Sequence, residues 1–157
     1  MLRRSLAAVL AAVLLAGCGT TDVALGQWVQ QSGLASTMQS LSVTVAAMGS
    51  DLKGVDTKDP KAVAWVLVQH GKAITKEAQA LAAEPKSSDD AFEKVRTDTT
   101  NAMFAYAEAV TALTTVKTAD MLAAVGRATT TLTALTASIT ALSDYLTAHS
   151  NDQVHAA

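Results

Sequence analysis

The 157-residue sequence has little of the chemistry on which many enzymes depend. It contains one cysteine, two prolines and eight glycines, and aromatic side chains make up only 4% of the residues. The glycines form neither a G-x-G-x-x-G nor a G-x-x-x-x-G-K-[ST] pattern, so no nucleotide-binding loop is indicated. A net charge of −2 leaves no basic patch, and nucleic acid is not expected as a partner.

Charge is also missing from two long stretches of the chain. No charged residue lies between Asp22 and Asp51, and none lies between Arg127 and Asp144. Alanine and threonine are abundant instead, with 32 and 20 residues respectively. Alanine has the highest intrinsic helix propensity, so this composition favours helices that pack closely on small side chains.

The first seventeen residues predict an export signal. Arg3 and Arg4 precede an entirely apolar run from Leu6 to Ala16. That run is about half as long as a membrane-spanning helix requires. The segment Leu15-Ala16-Gly17-Cys18 resembles the lipobox of bacterial lipoproteins. The alternative is an ordinary signal peptide with a chance cysteine near the cleavage point.

The lipoprotein resemblance implies a specific modification and location. It implies a thioether-linked diacylglycerol on Cys18, cleavage before Cys18, and often a further acyl chain on the freed amine. The mature protein would then be anchored in the cell membrane, on its extracytoplasmic face. Because Cys18 is the only cysteine, no thiol would remain for a disulfide, a metal ion or nucleophilic catalysis.

The mature chain is expected to divide into three parts: a lipidated tether over 18–24, a helical domain over 25–149 and a polar tail over 150–157. The strongest periodic signal is an apolar heptad seam in the first predicted helix, formed by Leu34, Met38, Leu41, Val45, Met48, Leu52 and Val55. Four long helices are predicted in all.

Local signals mark the other three predicted helices. Asp59-Pro60 predicts the start of the second helix, and Pro85 its end. Ser87 or Ser88 is expected to cap the third helix, which should run to about Val116. Thr118 is expected to cap the fourth, which should end near Ala148.

An all-α fold follows, and the short links favour an antiparallel up-down four-helix bundle. The competing architecture is a pair of long helical hairpins that associate only in a dimer. In an up-down bundle the first and fourth predicted helices would be neighbours. Their uncharged outer faces would then form one continuous surface, and depletion of charge is typical of interface cores.

Candidate chemical sites are few. His70 is the only histidine on an apolar stripe, and Tyr106 is a candidate partner for its ring. The functional alternative is a haem-like cofactor between helices, with His70 and one of Met38, Met48 or Met103 as iron ligands. Ser143, Asp144 and His149 include triad residue types but lack a surrounding catalytic motif. We therefore predict no enzyme activity, no catalytic residue and no metal site.

The leading functional hypothesis is a non-enzymatic binding or protein-interaction module at the cell envelope. It would use the first and fourth predicted helices to bind a protein partner or a second copy. Alternatives are a ligand or cofactor carrier around His70, and a structural or phage-type exclusion lipoprotein. The abundant threonines could instead only decorate a solvated surface, or accept sugars at Thr114-Thr115 and Thr129-Thr130-Thr131. Trp28, ten residues after Cys18, could lie at the lipid headgroups or fix the first helix to the domain.

Overall fold

The computed structural model describes residues 23–150, which are all-α, with no strand in that range. This described part of the chain contains five α-helices and one 3₁₀ turn. The helices are α1 Val23–Gln31, α2 Leu34–Gly54, α3 Pro60–Ala83, α4 Asp90–Leu113 and α5 Met121–Ser150, with the 3₁₀ turn at Thr118–Asp120. None of the helices over this range is long and apolar enough to cross a membrane.

Several sequence predictions lie outside the described residues. These are the signal peptide over 1–17, the lipidation site Cys18, most of the tether and the tail after Ser150. The last two residues of the predicted tether, Val23 and Ala24, belong to α1.

The ends of α3 are confirmed. Asp59 accepts a hydrogen bond from the Lys61 backbone N–H at 2.9 Å, and Pro60 is the first helical residue. Proline at this position loses no helical hydrogen bond, because the first N–H groups of a helix have no intrahelical acceptor. The helix ends at Ala83, and Glu84 before Pro85 is extended.

The predicted caps of the last two long helices are wrong. Asp89, and not Ser87 or Ser88, caps α4 by accepting from the Phe92 N–H at 2.9 Å. The hydroxyl of Ser87 accepts from the Asp89 N–H and so supports the cap from two residues earlier. Thr118 makes no cap hydrogen bond; it opens the 3₁₀ turn, and α5 begins after it.

The first predicted helix is broken into α1 and α2 at Ser32 and Gly33. The Gly33 N–H donates to Glu84 Oε1 at 2.8 Å, across 51 residues of sequence. A Cβ at position 33 would lie 2.5 Å from that same oxygen, so glycine lets the carboxylate approach the backbone. Glu84 thereby fixes the α1–α2 junction to the end of α3.

Consecutive long helices pack antiparallel. Ser40 near the start of α2 donates to Glu77 near the end of α3 at 2.7 Å. At the α4–α5 contact, Thr99 donates to the Ser138 carbonyl at 3.1 Å. In the α3–α4 contact, a Cβ added to Gly71 would lie 2.6 Å from Val110 Cγ1, so the absence of a side chain at this glycine permits the close approach.

One apolar core joins all five helices. Its largest fully buried members are Tyr106, Phe92, Leu25, Leu34, Met38, Leu41, Met48, Leu67, Ile74, Leu81, Met103 and Leu135. The apolar positions of the sequence-predicted seam are buried at Leu34, Met38, Leu41 and Met48, as a helix packed along one face requires.

The expected adjacency of the first and fourth predicted helices is not found. Besides α4, the long helix that α5 approaches most extensively is α3, and α2 and α5 have no comparable backbone contact. The two uncharged stretches of sequence therefore do not merge into one closely packed side. Each must be considered as a surface by itself.

Candidate functional site

An aromatic cluster closes the end of the domain at which α1 begins. Trp28 meets Phe92 edge to face, with ring centroids 5.1 Å apart, and Phe92 in turn contacts Tyr145. Tyr145 stacks on His149 with centroids 4.1 Å apart. The Trp28 indole N–H donates to the Pro85 carbonyl at 2.9 Å. This cluster therefore joins α1, the α3–α4 link, α4 and α5.

A buried ion pair lies beside the aromatic cluster. Arg96 is only 7% exposed, and its guanidinium donates to both carboxylate oxygens of Glu93, at 3.0 and 2.8 Å. A third guanidinium hydrogen bond reaches the Leu81 carbonyl at 2.6 Å, and the group lies 5.9 Å from the Trp28 ring centre. Arg96 is thus a structural residue, although it lies among the charged residues of α4.

The carboxylates at this end are held ionised. Partial burial acts to raise the pKa of Glu93, but the hydrogen bonds from Arg96 and from the Ser87 N–H outweigh it and lower that pKa below its usual value. The pKa of Asp89 is lowered too, because hydrogen bonds from the Tyr145 hydroxyl and the Phe92 N–H outweigh the opposing effect of burial. Both lowered pKa values result from hydrogen bonds that fix the start of α4.

Replacement of Trp28 with alanine is expected to lower the free energy of unfolding by about 2–3 kcal/mol. The change removes the edge-to-face contact with Phe92 and the hydrogen bond to Pro85. Trp65, which is 62% exposed, supplies the matched control; Trp65→Ala should cost about 0.5 kcal/mol or less. Chemical denaturation measures both.

Partition of Trp28→Ala into lipid vesicles should be unchanged. A loss of partition without a loss of stability would favour the headgroup role instead.

The structure does not pair His70 with Tyr106. The His70 Nε2–H donates to Asp51 on α2 at 2.8 Å, whereas the buried Tyr106 hydroxyl donates to the Met48 sulfur at 3.1 Å. Burial raises the pKa of Tyr106. Ligation of an iron ion by His70 Nε2 or by Met48 would first have to break these contacts. The two candidate cofactor residues thus serve separate helix contacts.

The triad residue types do not form a triad. The Ser143 hydroxyl is buried and has no hydrogen-bond partner, Asp144 is exposed, and His149 Nδ1–H donates to the Tyr145 carbonyl. Across residues 23–150, no group of three or more His, Cys, Asp or Glu side chains could hold a metal ion.

The threonine hydroxyls of α5 donate within their own helix, so the surface of α5 offers fewer free donors than its number of threonines indicates. The Thr130, Thr133 and Thr140 hydroxyls donate to the carbonyls four residues earlier, at 3.0, 3.1 and 3.0 Å. Their donors are therefore satisfied within the helix. The exposed and uncharged side of α5, which we call the α5 face, consists of Thr129, Thr130, Thr133, Ala134, Ala137, Thr140 and Ala141.

Beside the α5 face, a groove of about 890 Å³ runs between the second half of α4 and the first half of α5. We call it the alanine groove. Most of its lining residues carry no side chain beyond Cβ: Ala105, Ala109, Ala112, Ala123, Ala124 and Gly126. Thr130 and Thr131 complete the α5 side. Small side chains allow another helix to approach closely without loss of side-chain entropy.

Two opposite charges also line the alanine groove. Glu108 belongs to α4 and Arg127 to α5, and both side chains are exposed. Neither forms an ion pair with any residue over 23–150. By contrast, Asp98 in the next groove along α4 and α5 is already paired with Lys94 at 2.7 Å. Glu108 and Arg127 are thus free to bind charges from another molecule.

Sequence reasoning did not single out the alanine groove. The missing charge of α5 was visible in the sequence, but it was considered together with the first predicted helix, and the structure does not bring α2 and α5 together. Ala105, Glu108, Ala109 and Ala112 recur at the spacing of one helix face, and this was a usable signal. Which face of α4 borders α5 depends on the packing of the whole domain, which no local pattern shows.

Comparisons of the chain with protein-family models, with curated proteins and with solved structures found no match. Function must therefore be inferred from the residues and their geometry.

Proposed function

We propose that the protein is a cell-envelope lipoprotein, anchored through lipid on Cys18, whose helical domain is a non-enzymatic protein-interaction module. The α5 face carries the proposal. It is exposed and uncharged, and its threonine hydroxyls donate into their own helix. Burying such a surface leaves few polar donors without an acceptor. The desolvation cost of association is therefore lower than the number of threonines indicates.

The proposed architecture is an antiparallel up-down array in which α2 packs on α3, and α3, α4 and α5 pack on one another, so that α2 and α5 do not close the bundle. The short helix α1 lies at the anchored end. The antiparallel contacts of consecutive helices and the single shared core support it. In this arrangement α2 packs on α3 and not on α5, so it leaves the alanine groove and the α5 face open. They form one binding surface.

The binding surface also agrees with the anchor. Only four residues separate Cys18 from Val23, the first residue of α1, and a fully extended chain spans about 3.3–3.6 Å per residue. The α1 end would therefore be held within a few nanometres of the membrane. The α4–α5 surface runs along the side of the domain, where a neighbour in the same membrane can reach it.

Site-specific photo-crosslinking in native membranes tests this function. A photoreactive amino acid at Thr133 or Thr140 on the α5 face should give discrete protein adducts. Matched probes at Gln69 or Lys72, on the exposed side of α3, should give few. Equal adducts from both helices, or none from α5, would contradict an interaction surface on α5. Circular dichroism of each variant establishes that the fold is retained.

A further inference from the structure

We infer that the alanine groove binds a second copy of this chain, in a two-fold symmetric dimer whose axis runs along the helices. The inference rests on the proposed function and deepens it by naming the partner of the same surface. The two unpaired charges of the groove carry it. In a symmetric dimer each patch meets its own copy, so a groove that contains one anion and one cation can be self-complementary.

The register of α4 and α5 sets the levels of these charges. Thr99 contacts Ser138, and the helices run antiparallel from there, so Glu108 and Arg127 lie at about the same height, within one helical turn. A two-fold axis along the helices leaves heights unchanged and places α4 of one copy against α5 of the other. Each Glu108 would then face Arg127 of the second copy.

The charges also select between symmetries. A two-fold axis across the helices would place α4 against α4 and set Glu108 against its own equivalent. That juxtaposition of like charges is unfavourable. The axis along the helices forms two ion pairs instead, and it leaves the α1 ends of both copies on the same side. Both lipid anchors on Cys18 could then enter one membrane.

The remaining residues of the groove suit close burial. The alanines lose no side-chain entropy when they are covered. Thr130 and Thr131 already donate to carbonyls of their own helix, so covering them leaves no unsatisfied donor. Complementary charge is therefore combined with a surface that is easily desolvated.

Charge reversal in the full-length lipidated protein tests the dimer. Masses are measured by analytical ultracentrifugation with detergent micelles in large excess. Wild type should be dimeric. Glu108→Arg places arginine at both positions and Arg127→Glu places glutamate at both, so each variant alone should dissociate with a Kd raised by about tenfold or more. An equal mixture of the two variants should form the heterodimer, because every facing pair is again opposite in charge.

Lys72→Glu on the exposed side of α3 is the matched control and should remain dimeric. It should also fail to associate selectively with Glu108→Arg. A monomeric wild type, or single variants that dimerise as well as wild type, would overturn the inference. If the protein is monomeric while α5 probes still crosslink to a different protein, the proposed interaction module stands and only the identity of its partner is wrong.

Discussion

Replacing Arg96 with alanine is expected to lower the free energy of unfolding by about 3–5 kcal/mol at pH 7. The guanidinium supplies two hydrogen bonds to the Glu93 carboxylate and one to the Leu81 carbonyl, and Arg96 is 7% exposed. Without it, a carboxylate whose side chain is 14% exposed is left without its cation. Urea denaturation followed by circular dichroism measures the loss.

The neighbouring ion pair on the same helix provides the control. Lys94 and Asp98 are bonded at 2.7 Å, but their side chains are 77% and 56% exposed. Lys94→Ala should therefore cost about 0.5 kcal/mol or less. If the two alanine variants lost equal stability, burial of the Arg96–Glu93 pair would have no energetic consequence.

The effect of Arg96→Ala should also depend on pH. Because the folded-state pKa of Glu93 lies below its usual value of 4.5, ionised Glu93 adds stability above pH 4.5, and this contribution is lost as the pH falls through the lowered folded value. In the variant, protonation at low pH neutralises the unpaired carboxylate. The difference between wild type and variant should therefore shrink in acid. A difference that is constant with pH would assign the cost to packing alone.

Replacing Cys18 with serine is expected to abolish lipid attachment completely. The hydroxyl is a much weaker nucleophile than a thiol, and the lipobox resemblance assigns the thioether to this position alone. Cells supplied with an alkyne-tagged fatty acid should label the wild-type protein and leave Cys18→Ser at background. Intact-mass measurement should show acylated Cys18 as residue one of the wild type.

Position within the lipobox supplies the control for that experiment. The double variant with Cys18→Ser and Thr21→Cys retains one cysteine, three residues further along the chain, and should remain unlabelled. Label on either variant would contradict lipidation at Cys18. The consequence for the protein is large, because two or more acyl chains anchor stably, whereas the mature chain has a net charge of −4 and would be repelled by an anionic surface.

Local chemistry in the sequence predicts where helices begin and end better than how they meet. Asp59-Pro60 and Pro85 bound α3 because a side-chain cap and a missing N–H act within a few residues. The break at Gly33 could not be found in this way, since its partner Glu84 lies 51 residues away. Interactions between residues close in sequence can be predicted from local patterns, whereas a contact between distant residues cannot.

The burial of the Arg96 side chain also could not be predicted from the sequence. Arg96 lies among charged residues of α4, and only the Leu81 carbonyl and the Trp28 ring, on other helices, explain its place in the interior. For the candidate site, the uncharged length of α5 was visible in the sequence. The separation of α2 from α5 was not visible, because the position of α2 depends on the combined packing of all the helices.

The attachment of α1 has a mechanical consequence. A pull on the lipid anchor would enter the folded domain at Val23 and reach the core through two crossing bonds, from Trp28 to Pro85 and from Gly33 to Glu84. Both bonds end on the short link after α3, so α1 and α3 would share the tension. The force would therefore not detach α1 by itself. Stretching of single molecules should accordingly show α1 yielding together with the α3–α4 link.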